Sequence, residues 1–283
     1  MVMFVFRQLI LLLLVQACCI SPLAAEGLSE AAAIIKGSNA IYSGDDSLST
    51  VSFMFKGADG IESRTEFTML WKDYRGSGDF TEKVIFFKEF PTDGKGIGYM
   101  GWLRKPELNK HDDEWIYMPR LRVVRKMPPR ENRAPLRQDE GFGRSQLLRE
   151  HLTLSSRPLA WDEHRLLESE EEGGAATFYI VESTPHSRDA NFPYGRTVSW
   201  IAKDSLLRTR TDYYDLSDQL RMRQTITWKE VDGAWLWDRV EGENLTTGSK
   251  TTIEVSDISL NVGLKDRVFS KRTLMTGGKR YRR

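Results

Sequence analysis

The chain has 283 residues, with 41 Lys and Arg against 40 Asp and Glu, a formal net charge of +1 and four histidines. A balance this close to neutral excludes the broad basic footprint of a nucleic-acid binder. With both cysteines at Cys18 and Cys19, everything after residue 19 lacks disulfides, thiolate metal sites and a cysteine nucleophile.

Residues 1–25 carry one charge, Arg7, before a short apolar run at Leu9–Val15 and the segment Leu23-Ala24-Ala25. That order is a secretory signal peptide, whose core is too short for a bilayer of about 30 Å; cleavage is expected near Ala25, with export of the remainder. Alternatively, Val15-Gln16-Ala17-Cys18 is a lipoprotein processing site, poorly matched at Gln16, that leaves Cys18 lipidated. About 258 residues follow Ala25, enough for one all-β domain (26–283) without covalent staples.

Residues 28–42 read as a helix capped by Ser29, with Leu28, Ala32, Ile35 and Tyr42 at helical spacing. The period then becomes two. Val51, Phe53 and Phe55 alternate with polar or smaller neighbours, Asp59-Gly60 turns, and Thr65, Phe67, Met69 and Trp71 alternate again before VIFFKEF at 84–90. Further strands are expected at 97–103, 114–124, 176–183, 196–202, 206–214, 219–230, 234–243 and 250–259. Ten or eleven strands joined by short turns favour a mainly β, antiparallel meander.

Two segments break the rhythm: 128–160, rich in Arg and Pro and lid-like, and the acidic turn Glu168–Glu172. Gly96-Ile97-Gly98-Tyr99-Met100-Gly101 matches a dinucleotide fingerprint in spacing but runs into a strand, so close backbone approach or a kink explains it better. His111, His151, His164 and His186 form no metal or catalytic motif, and Trp161-Asp162-Glu163-His164 reads as a polar loop. No cofactor, metal or catalytic residue is expected, and the chain does not read as an enzyme.

Seven tryptophans, among them Trp71, Trp102, Trp115, Trp228 and Trp237, fall in strand-like segments. IFF at 85–87 and WIYM at 115–118 are apolar on both faces, as in strands whose second face is covered by helices or lines a cavity.

Ordered along the chain, KVIFFKEFPTDGKGIGYM (83–100), DDEWIYMPRLRVVRKM (112–127), VSWIAKDSLLRTRTDYYD (198–215), TTGSKTTIEVSDISLN (246–261) and VFSKRTL (268–274) resemble the LolA-like outer-membrane lipoprotein-sorting proteins. Gly141-Phe142-Gly143-Arg144-Ser145-Gln146 departs from that family's pattern, with Arg144 and Gln146 in place of small or acidic residues. The resemblance implies an unclosed half-barrel whose concave face is plugged by helices. It also implies a periplasmic, monomeric carrier of lipid or lipoprotein acyl chains beside an inner-membrane RND/MMPL-type transporter. The alternative is a lipid-sensing or structural accessory subunit of such an exporter. Phe53, Phe55, Phe67, Met69, Trp71, Phe86, Tyr99, Trp115 and Tyr117 are the candidate lining residues. Arg120, Arg122, Arg125 and Lys126 are candidates for a rim that meets headgroups or a partner, or for charges that guard a strand edge. The basic tail, 275–283, reads as a disordered end or a contact with anionic lipid.

Overall fold

The computed structural model describes residues 29–108, 110–128, 157–167, 177–188 and 192–281. The signal peptide, Cys18, most of 128–160 with Gly141–Gln146, and Glu168–Glu172 lie outside the described residues.

Wherever apolar and polar residues alternate, the backbone is extended. The strands are β1 (Asp46–Lys56), β2 (Glu62–Asp73), β3 (Phe80–Phe90), β4 (Gly98–Arg104), β5 (Asp113–Met118), β6 (Val123–Lys126), β7 (Asp162–Leu167), β8 (Phe178–Pro185), β9 (Arg196–Ala202), β10 (Arg208–Tyr214), β11 (Leu220–Val231), β12 (Ala234–Asn244) and β13 (Lys250–Leu260). They form one antiparallel 13-stranded sheet in the order β6-β5-β4-β3-β2-β1-β13-β12-β11-β10-β9-β8-β7. Its terminal strands, β6 and β7, are not paired with each other, so the sheet is not closed into a barrel. Every neighbour follows its predecessor in sequence except at β1–β13, where the first and last strands meet and join the two halves.

Helix α1 (Glu30–Asn39) starts where Ser29 Oγ accepts a hydrogen bond from the Ala32 amide at 3.2 Å. It stops three residues short of the predicted end. The chain turns at Ala40 toward the sheet, where the Tyr42 carbonyl accepts from the Trp235 amide at 2.9 Å.

Strand parity sorts the core into two faces. One, the cavity face, gathers Val51, Phe53, Phe67, Tyr213, Met222, Ile226, Val240 and Ile253, and α1 packs on its β7–β9 end through Ile34 and Ile35 against Val181 and Ile201. The back face carries Leu70, Ile85, Phe87, Met100 and Trp115, covered by the C-terminal residues Leu264, Val268, Phe269 and Leu274.

Three expectations change. The stretch 114–124 is a hairpin of β5 and β6 about a turn at Pro119–Arg122, since Pro119 lacks a ladder amide. Trp161–His164 is no loop: β7 begins at Asp162 and pairs with β8. The tail is ordered as far as Tyr281, through α2 (Lys271–Thr276) and a 3-10 turn (Gly278–Tyr281). Helix α2 packs on the back face, with Leu274 in the cluster of Leu70, Ile85, Phe87 and Met100.

Candidate functional site

A cavity of about 110 Å³ lies between α1 and the cavity face of the β7–β12 half. Ile35, Ser38 and Asn39 approach it from the helix, and Tyr213, Ile226, Trp228 and Trp237 form its apolar wall. Buried polar side chains make up another side: Ser183, Thr197, Ser199, Thr211 and Gln224 are all 9 % exposed or less.

Two bulges set this composition. Regular alternation would place Trp237 on the back face, but the ladder shifts between Thr227 and Trp228, so Trp228 opposes Trp237 while Ile226 opposes Val240. Both indoles thereby join the cavity face. On β10, Arg208, Arg210 and Asp212 are spaced by two and should share a face. The shift between Arg208 and Arg210 sets Arg208 opposite Ile201, a cavity-face residue, whereas Arg210 lies opposite Trp200 with its guanidinium carbon 3.9 Å from that ring's centroid. Arg208 consequently enters the cavity wall.

The charges there are unevenly matched. Asp162 accepts from Arg157 at 3.0 and 3.3 Å, and Arg157 also lies 4.1 Å over the Phe192 ring. His164 Nε2 donates to the Leu159 carbonyl at 3.1 Å, which leaves Nδ1 to accept from the Ser183 hydroxyl at 2.8 Å. Burial pushes this imidazole below its ordinary 6.5, against the raising effects of the Leu159 carbonyl and Asp162. Arg208 donates to Asn39 Oδ1 at 3.0 Å and forms no ion pair among the described residues. Burial lowers its pKa too.

The predicted lining residues divide by parity. Phe53, Phe55, Phe67, Met69, Trp71, Phe86 and Tyr99 share the cavity face, along the half of the sheet away from the cavity. Their rings run edge to face, Phe53 to Phe67 at 5.6 Å and Phe67 to Phe86 at 5.9 Å, with Tyr99 tilted 6.3 Å from Phe86. Trp115 and Tyr117 do not join them. They oppose Met100 and Gly98, while Ile116 opposes Tyr99, so both turn to the back face beneath the C-terminal segment. Two buried carboxylates also share the cavity face: Glu82 accepts from Trp71 Nε1 at 2.7 Å, and Glu114 accepts from the Tyr99 hydroxyl at 2.6 Å.

The rim candidates lie on the β5–β6 hairpin at one end of the sheet. Arg120 pairs with Asp93 at 3.0 Å in full exposure and Lys126 with Asp113 at 2.6 Å. Arg122 and Arg125 have no ion pair among the described residues. Gly98, in the glycine-rich stretch, is a close-approach site: a Cβ there would lie 2.8 Å from Leu274 Cδ2. No group of three His, Cys, Asp or Glu suited to a metal occurs among the described residues, and none of their helices is long and apolar enough to cross a membrane.

A family model described as "Uncharacterized protein" matches residues 80–276, and the chain belongs to that family. No curated protein matches the sequence. Among solved structures, one described as an outer membrane lipoprotein-sorting protein domain from Vibrio parahaemolyticus is 23 % identical, with a TM-score of 0.69 over 87 % of this chain and 98 % of that one. A DUF1329 family protein from Desulfovibrio piger is 28 % identical, with a TM-score of 0.68 over 86 % and 95 %. A LolA superfamily protein from Nitrosomonas europaea is 18 % identical, with a TM-score of 0.59 over 87 % and 100 %. The fold is therefore that of the LolA-like lipoprotein-sorting proteins, the resemblance carried by the sequence blocks.

Proposed function

We propose that this protein is a periplasmic carrier that holds the acyl chain of a lipid or lipoprotein against its cavity face and passes it between an inner-membrane transporter and the outer membrane. The supporting observation is a single apolar cluster on that face, spanning both halves of an unclosed sheet from Phe67 on β2 to Tyr213 on β10, with Met69, Phe86, Trp228 and Trp237 packed against it. An acyl chain of about 16 carbons costs about 0.8 kcal/mol per methylene exposed to water, roughly 13 kcal/mol in all, so unescorted transfer across an aqueous gap is very slow.

A cavity of about 110 Å³ is smaller than the roughly 150 Å³ that admits benzene. Cargo therefore enters by displacing what lies over the cavity face, and α1 is the described element placed to move. Release depends on the same motion. The hairpin cations, Arg122 and Arg125 foremost, supply the contact with an anionic headgroup, membrane surface or transporter. The reading is one of binding and delivery, not of catalysis.

The test is transfer of a pyrene-labelled diacyl lipopeptide from donor to acceptor vesicles. Transfer should accelerate in proportion to protein, and native mass spectrometry of protein from its own periplasm should show bound lipid. A rate no higher than that of buffer, with no co-purified lipid, overturns the carrier reading.

A further inference from the structure

We infer that the α1-side cavity is a seat for a carboxylate, and that the preferred cargo is an acidic single-chain amphiphile with its head on Arg208. The inference rests on the carrier reading above and narrows it.

Three independent features converge. The bulge between Arg208 and Arg210 directs one guanidinium inward while its neighbour stays on the back face; bulges beside binding sites commonly re-aim a side chain in this way. That guanidinium is left without a counter-charge among the described residues. The cavity's own carboxylate, Asp162, is held by Arg157 through Nε and Nη2, and among the described residues the guanidinium of Arg208 meets the neutral Asn39 amide. Arg208 is partly buried, and a cation drawn out of water without a counter-charge is costly to a fold. Finally, the unsatisfied groups are all donors. Arg208 and Trp237 both line the cavity, and their buried Nε and Nε1 atoms meet no acceptor among the described residues. A site that offers a cation and spare N–H groups is complementary to an anionic oxygen ligand.

The volume limits the head to a small group. About 110 Å³ accommodates a carboxylate and its first methylenes, with the rest of the chain passing Ile226 and Trp228 onto the apolar face. A planar carboxylate matches the planar guanidinium fork.

Titration calorimetry with the full mature protein tests this with three twelve-carbon probes: laurate, methyl laurate and dodecyl phosphate. Laurate should bind at least tenfold tighter than methyl laurate, and Arg208→Gln should abolish that preference while leaving methyl laurate within about twofold. Equal affinity for laurate and its ester would overturn the carboxylate seat but leave the carrier intact. Failure of all three probes to bind would overturn the seat, with the carrier reading then decided by the lipopeptide transfer assay. Dodecyl phosphate binding tighter than laurate, with the same dependence on Arg208, would overturn the assignment in favour of a phosphate head. Should Arg208→Gln fail to fold, the wild-type protein still gives the answer through the carboxyl resonance of [1-¹³C]laurate. Bound laurate should titrate at lower pH than laurate free as monomer in solution. A midpoint equal to or above that of the free acid would overturn the seat.

Discussion

Asp212 shows how one side chain fixes local charge on the back face. It is 1 % exposed, and it accepts from Arg223 at 2.8 and 2.9 Å and from Arg210 Nε at 2.9 Å. Burial alone would raise its carboxyl, but the two guanidinium groups outweigh that and hold it below its ordinary 3.8. A depressed carboxylate stabilises the fold fully above its unfolded value and loses that contribution as pH falls through the folded one. Asp212→Asn should therefore cost about 1.5–3 kcal/mol at pH 7, the worth of hydrogen bonds to a charged group. Urea unfolding checks it: the variant's midpoint should drop at pH 7 and vary less than wild type between pH 5 and 3. His164 has the opposite charge type and the same direction of pH response. Its folded value lies below 6.5, so the unfolded chain binds the proton first and stability falls as pH drops below about 6.5. Asp162 opposes this shift, whereas Arg208 and His186 favour it. The imidazole should titrate below 6.5 by NMR, and His164→Gln should flatten the stability profile between pH 7 and 5.

The C-terminal element is core rather than tail. Leu274 is fully buried among Leu70, Ile85, Phe87 and Met100, and it fits there because Gly98 has no Cβ to occupy the space. Leu274→Ala should cost about 2–5 kcal/mol, as other buried leucine truncations do, read from urea unfolding; a disordered tail would show no change. How much of such detail the sequence reveals depends on the element. The period of two located β1–β4 and β8–β13 within a few residues, because one face of each carries buried residues at alternate positions. Strand β7, DEHRLL, is an edge strand without buried residues, so its pattern resembles a loop. WIYM is apolar on both sides and carries no parity signal; only pairing with β4 shows that Trp115 and Tyr117 face back. Arg208 was illegible for another reason. Arg-Thr-Arg-Thr-Asp reads as perfect alternation, and the bulge that breaks it is set by pairing with β9.

An unclosed sheet can admit cargo at the cost of two free edges, and free edges invite pairing with another chain. The β6 edge is short, four residues, and Arg122 at the turn and Arg125 within the strand place along it cations with no ion pair among the described residues. We propose that these charges both deter a second sheet and meet an anionic surface, and the two roles separate by the sign of the substitution. Replacing Arg122 and Arg125 with Ser and Thr removes the electrostatic deterrent and leaves a polar β-forming edge. Sedimentation velocity over a tenfold concentration range should then show a growing dimer fraction where wild type stays monomeric. Replacing Arg120, Arg122 and Arg125 with Glu keeps like charge on the edge, so that variant should remain monomeric. It should nevertheless lose binding to phosphatidylserine vesicles at low salt by at least about a hundredfold, since each cation near such a surface contributes about 1 kcal/mol. Loss of vesicle binding with the monomer preserved would assign the hairpin to docking. A Ser/Thr variant that dimerises while the Glu variant binds vesicles as wild type does would make these arginines guards of the edge alone.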